Sequence, residues 1–175
     1  MHDMSIATSV KKILIADDEP DILEIIQYNL QKEGYEVITA KNGSEAIDMA
    51  IKNRPDLIIL DIMMPGKNGI EVCNLLRLKP VFNETLIVFL TALSDESTEV
   101  KGLETGADDY ITKPISPKVL VSKVNALFRR VIKDDISLLQ IGELTINREK
   151  FIVNYRGTDI ILARKEFELL ALLAG

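Results

Sequence analysis

The sequence predicts an α/β protein built on a five-stranded parallel sheet, and three observations carry that expectation. Aliphatic runs of strand length recur at 12–16, 35–40, 56–60, 86–90 and 109–112, with helix-like patterns between them. The runs at 57–60 ("LIIL") and 86–90 ("LIVFL") are apolar at every position instead of alternating, so both faces of those strands need cover. The sheet is therefore expected as the middle layer of three. After "KDD" at 133–135 the pattern changes to short alternating segments divided by Gly142, Asn147 and Gly157, which read as antiparallel hairpins.

The elements follow in order. "KILIA" is the first strand. "DDEPDILEIIQYNLQKEG" is a helix with Asp18 as candidate N-cap, Pro20 in its first turn, Gly34 as the C′ residue, and Ile22, Leu23, Ile26 and Leu30 as its apolar stripe. "YEVITA", "DLIIL", "LIVFL" and "DYIT" supply the remaining strands. "SPKVLVSKVNALFRRVI" starts with Ser116 as cap and Pro117 at the first helical position; Leu120, Val124, Leu127, Phe128 and Val131 recur at helical spacing, and the helix is expected to end near Arg130. The expected layout is a tail at 1–10, a first domain at 11–131, a linker at 132–137 and an incomplete second domain at 138–175. That second domain holds "LLQIGELTIN", "KFIVNYRG", "DIILA" and a helix-like "ARKEFELLALLAG", little material for an independent core.

Composition bounds the function. With 175 residues, 47% hydrophobic and 27% charged, the chain has the make-up of a globular protein, without an apolar run near the ~20 residues that span a bilayer. Its N-terminus lacks a signal-type apolar core, so the expectation is a cytoplasmic protein without membrane contact. A single cysteine, Cys73, excludes an internal disulfide framework and reads as a small core hydrophobe. The net charge of -6 argues against an overall basic nucleic-acid footprint. Residues 1–131 hold 20 acids and 15 bases, whereas 132–175 hold 7 and 6, so the acidity belongs to the first domain.

Ligands of open parallel sheets bind beyond the carboxyl ends of the strands. Those ends carry Asp17 and Asp18, Asp61, Thr91 and Lys113. Clustered carboxylates repel unless something neutralises them, and a hard divalent cation such as Mg2+, with oxygen ligands, is the simplest candidate. Zinc is disfavoured, because the one histidine, His2, lies near the terminus and the one cysteine lies on a helix. Mg2+ beside a lysine and a hydroxyl suits a phosphoryl group, and Asp61 is then the natural nucleophile, forming an acyl phosphate. Singly, Asp17 or Asp18 reads as a helix cap, Asp61 as a turn residue, Thr91 as a strand-end residue and Lys113 as a solvated charge. Their conjunction at matching strand ends favours the site.

These motifs, "ILIADDEPD", "DLIILDIMMPGKNG", "LTAL" and "GADDYITKPISP", resemble the receiver domain of bacterial two-component response regulators over residues 11–131. The resemblance implies a flavodoxin-like doubly wound fold in which Asp61 accepts a phosphoryl group from a sensor histidine kinase. It further implies Mg2+ among Asp17, Asp18, Asp61 and the Met63 carbonyl, phosphoryl contacts from Lys113 and Thr91, and a cis Lys113–Pro114 peptide. Residues 138–173 resemble the start of the winged-helix DNA-binding domain of the OmpR/PhoB subfamily, with Ala163 where a threonine is usual. On that reading the recognition helix and wing are missing, so DNA binding and transcription regulation belong to the full-length protein only.

By resemblance, phosphorylation pulls Thr91 inward and lets Tyr110 turn inward, re-shaping a face built from the helix at 95–105, the fifth strand and the helix at 116–130. That face is expected to form a homodimer through Val100, Leu103 and Val121, with cross-pairs between Asp108 and Lys123 and between Asp109 and Arg130. Glu99, Val119 and Asn125 depart from the usual ion-pair pattern, and Lys101 partly offsets Glu99. The chain is not expected to be an enzyme beyond phosphotransfer and slow dephosphorylation at its own Asp61. An aspartate-nucleophile phosphohydrolase would need a second acid where Met63 stands. A nucleotide or flavin module would need a loop other than "ADDEPD" after the first strand. A receiver-only interaction module, with no DNA role for the tail, stays open as the other alternative.

Overall fold

The computed structural model describes residues 9–92, 104–147 and 152–174. The chain divides into two compact units, Met1–Lys123 and Val124–Gly175. In the first unit the strands are β1 (Lys12–Ala16), β2 (Glu36–Ala40), β3 (Leu57–Asp61), β4 (Leu86–Ala92) and β5 (Asp109–Lys113). They form one parallel sheet in the order β2-β1-β3-β4-β5. The order reverses between β1 and β3, so the ends of these two strands flank the crevice where such sheets take ligands.

Helices α1 (Pro20–Lys32), α2 (Gly43–Asn53) and α3 (Gly69–Arg77) join the strands, and α4 (Pro117–Ser137) follows β5. Every residue of β3 is buried, as are Ile87, Val88, Phe89, Leu90 and Thr91 of β4. This is the two-sided cover that the uninterrupted apolar runs required. Leu23, Ile26 and Leu30 of α1 and Cys73 of α3 are buried.

Two helix boundaries differ from expectation. The N-cap position of α1 is Glu19, not Asp18, because Pro20 takes the first helical position; Glu19 makes no side-chain cap, and its amide donates to Asp17 Oδ1 at 2.9 Å. The other end follows the sequence: Gly34, at φ 93°, closes α1 as the amides of Gly34 and Tyr35 donate to the carbonyls of Gln31 and Leu30. Helix α4 runs through Arg130 to Ser137, so residues 132–137 continue a helix where a linker was expected. No glycine or proline interrupts the chain from Lys118 to Ile141, which leaves nothing local to stop it. The division between the units falls within α4, ahead of residue 131.

The loop after β3 is held by backbone proximity. A Cβ on Gly69 would stand 2.4 Å from the Asp61 carbonyl oxygen and 3.0 Å from the Ile62 Cα. Only glycine lets α3 start this close to the end of β3, and the Gly69 amide donates to the Ile62 carbonyl at 3.1 Å. Asn68 and Glu71 complete a reciprocal capping box at that helix start. At the far end of α3, the Arg77 guanidinium donates to the carbonyls of Gly106, Phe82 and Thr85 and to Asp108. Asp108 in turn accepts the Ile87 amide at 2.8 Å, so one ion pair ties α3 to the entries of β4 and β5.

In the second unit, β6 (Leu138–Ile141), β7 (Leu144–Asn147), β8 (Ile152–Tyr155) and β9 (Thr158–Ile160) form an antiparallel sheet in sequence order, followed by α5 (Arg164–Ala174). Ile146, Val153, Phe167 and Ala171 make its buried cluster. Ala163 stands at the N-cap of α5. Its amide donates to Glu166 at 2.9 Å, one arm of a capping box whose other arm needs a side-chain oxygen that alanine lacks.

Two stability changes follow. Gly69→Ala forces α3 away from β3 and is expected to cost about 2–3 kcal/mol in urea unfolding. Ala163→Thr supplies the missing arm and is expected to stabilise α5 by about 0.5–1 kcal/mol, read as a higher unfolding midpoint of the second unit.

Candidate functional site

Three strands deliver the site. Asp17 follows β1, Asp61 ends β3 and Lys113 ends β5, and the chain order of the sheet brings them to one edge. Asp17 and Asp61 are 0% and 3% exposed, while Asp18 is exposed. Each of the three acids offers an oxygen within 4.8 Å of the others. The Lys113 ammonium lies 3.0 Å from Asp17 Oδ2, 3.2 Å from Glu19 Oε1 and 3.4 Å from Asp61 Oδ2. Asp17 Oδ2 is buried, with the ammonium as its charge partner and without a hydrogen bond.

Burial, followed by the charge of Asp17, pushes the Asp61 carboxyl up to about 6; Lys113 and the Met63 amide pull the other way and are outweighed. For Lys113, burial pulls the ammonium down, but its contact with Asp17 and the charges of Asp61 and Asp17 prevail, so the net direction is up. A carboxylate this hard to ionise beside two further acids is short of positive charge. An orphaned buried oxygen and an all-oxygen donor set fit a hard cation such as Mg2+.

The other expected residues are distributed unevenly. Met63 exposes its side chain and donates its amide to Asp61 Oδ1 at 3.2 Å, a contact that the sequence reading did not anticipate. Thr91 is buried one residue beyond Leu90, the register partner of Asp61, with its hydroxyl donating to the Ala92 carbonyl at 3.3 Å. Phe89 pairs with Tyr110 and Thr91 with Thr112, which puts Thr91 and Tyr110 on the same face of the sheet. Tyr110 is half-buried against the core cluster. The Lys113–Pro114 peptide is cis.

Val100 and Leu103, like Glu99 and Lys101, lie outside the described residues. Of the remaining dimer-face candidates, Val121 is half-buried and Arg130 exposed. Asp108 is held by Arg77 at 3.2 Å, and Lys123 is held by the Tyr110 carbonyl at 2.9 Å and by Asp109 at 3.5 Å. Sequence reading missed Glu19 and Arg77. Glu19 had a signal, as the third acid of "DDEP"; Arg77 had none, since its charge partner Asp108 lies 31 residues along the chain.

Residues 13–125 match the response regulator receiver domain family. The chain belongs to that family. Receiver structures of similar fold include the signal receiver domain of a signal transduction histidine kinase from Syntrophus aciditrophicus, 39% identical over 70% of this chain and 92% of that one, with a TM-score of 0.65. The Vibrio cholerae chemotaxis protein CheY4 is 33% identical over 67% of this chain and 98% of its own, with a TM-score of 0.65. The response regulator DrrB, a Thermotoga maritima OmpR/PhoB homolog, is 34% identical over 94% of this chain and 72% of its own, with a TM-score of 0.64. This receiver thus has the flavodoxin-like fold of CheY and is a two-component signalling protein, with a small antiparallel sheet after the receiver. Among the described residues no helix is long and apolar enough to cross a membrane.

The raised Asp61 carboxyl has a measurable consequence. Between its ordinary value of 3.8 and about 6 the folded receiver holds more protons than the unfolded chain, so folding loses stability as pH rises through that window. In metal-free protein, Asp61→Asn is expected to match wild type near pH 4 and exceed it by about 2 kcal/mol at pH 7. Urea unfolding at the two pH values checks this, and an equal gap at both would contradict it.

Proposed function

We propose that this chain is a phosphorylation-controlled response regulator whose Asp61 takes a phosphoryl group from a sensor histidine kinase. The observation that carries the reading is a buried carboxylate, pushed up to about 6, set between an ammonium and two further acids at the carboxyl ends of parallel strands. An Asp61 oxygen attacks phosphorus as the bond from phosphorus to the donor breaks, and the departing group keeps the electron pair. With acetyl phosphate that group is acetate, which needs no proton to leave. Lys113 offsets charge on the phosphoryl oxygens, and the Thr91 hydroxyl turns from the Ala92 carbonyl to donate to one of them. Asp17, Asp18, Asp61 and the Met63 carbonyl would hold Mg2+, which screens the approach of one anion to another. On this reading the chain is no enzyme beyond turnover at its own Asp61.

The output we propose is dimerisation through α4, β5 and the segment before it, driven by Thr91 and Tyr110. It requires exchange of partners, because Asp108 is bound to Arg77 and Lys123 to Asp109 and Tyr110 within one receiver. For the second unit we propose the opening of an OmpR/PhoB-type winged helix, which regulates transcription in the full-length protein. Its sheet and helix bury Ile146, Val153 and Phe167 yet leave Leu169, Leu172 and Leu173 between 58% and 77% exposed, as expected of a core that further helices complete.

The decisive experiment is incubation with acetyl phosphate and Mg2+ followed by intact mass. One phosphoryl increment is expected on wild type and none on Asp61→Asn. No increment on wild type, or an equal one on the variant, would overturn the proposal.

A further inference from the structure

We infer that Glu19 is a positioning residue that sets how readily the site takes up an anionic phosphoryl donor, by holding the Lys113 ammonium from its solvent side. This deepens the phosphoacceptor reading and rests on it. Three carboxylates surround the ammonium, and they are not alike. The side chains of Asp17 and Asp61 are 0% and 4% exposed, whereas that of Glu19 is 61% exposed and accepts a hydrogen bond from Lys113 at 3.2 Å. Glu19 is thus the outermost of the acids on Lys113, between the ammonium and water.

Two further observations set Glu19 apart. It occupies the N-cap position of α1 but makes no side-chain cap there, and glutamate is not a favoured N-cap residue. Its side chain is committed to Lys113 instead. It also stands outside the group of acids close enough to share a cation, which comprises Asp17, Asp18 and Asp61. Glu19 therefore belongs to the ammonium, on the route by which a donor arrives.

A donor such as acetyl phosphate reaches the site as an anion. It meets the exposed charge of Glu19 at the rim, and its phosphoryl oxygens gain Lys113 only as Glu19 gives it up. Glu19→Gln keeps the length and an acceptor oxygen while removing the charge, which separates this effect from a loss of shape. The net gain or loss at each step is small because the pair is solvated.

The test uses the 175-residue chain with Mg2+ and acetyl phosphate, following phosphorylation of Asp61 by intact mass. For Glu19→Gln the second-order rate constant is expected to rise about two- to fivefold at low ionic strength. The advantage should shrink below about 1.5-fold in 0.5 M salt, where exposed charges are screened. The urea midpoint and the rise in Tm on adding Mg2+ alone should match wild type. A wild type that is never phosphorylated removes the reading beneath the inference. A phosphorylated wild type with an unchanged or slower Glu19→Gln, or with a gain that ignores salt, overturns the inference alone. Loss of the Mg2+ response in the variant overturns it too, by making Glu19 a residue of the cation site.

Discussion

Asp17 and Asp61 are buried within 3.4 Å of a single ammonium, and the rest of the receiver is arranged so that this unfavourable grouping persists. Two carboxylates out of water repel each other and lose hydration; one lysine offsets only part of that. The deficit is expressed in the raised Asp61 carboxyl and in an Asp17 oxygen without a hydrogen bond. A site in this condition favours any added positive charge, and it favours neutral or metal-bound forms of Asp61 over the bare anion. Its chemistry is that of a site short of cation.

Keeping these groups together requires stiff backbone. The three central strands, β1, β3 and β4, are buried along most of their length and fix where the sheet ends, and the close approach of Gly69 to the Asp61 carbonyl fixes how the chain leaves β3. Arg77 does the same for the other side of the sheet: one guanidinium satisfies three carbonyls and Asp108 and so sets where β5 begins. Lys113 sits at the far end of that strand. The position of the ammonium thus depends on an arginine on α3 whose hydrogen-bond partners are Phe82, Thr85, Gly106 and Asp108, none of them among the acids around Lys113.

The same economy of charge bears on signal output. Residues that the sequence offers as partners between two receivers are already partners within one, since Asp108 caps the Ile87 amide and Lys123 spans Asp109 and the Tyr110 carbonyl. Surface ion pairs contribute only ~0–1 kcal/mol, so exchanging one for another leaves the balance close. Tyr110 is backbone-bound to Lys123, packed on the core and on the same face of the sheet as Thr91.

What the sequence determined by itself is what periodicity and local chemistry encode. The parallel sheet follows from uninterrupted apolar runs, α1's end from Gly34, and the acids and lysine of the site from their places after strands. Those signals lie within a few residues of the feature they specify. The continuation of α4 to Ser137 was half available, because the stretch holds no breaker; the charged "KDD" suggested an end that helix geometry does not demand. Tertiary structure alone decided which charges meet. That Glu19 takes Lys113 instead of capping α1, and that Arg77 claims Asp108, depends on strand order and on groups separated by 94 and 31 residues. Electrostatic pairing acts through space, and no local pattern in the chain records it.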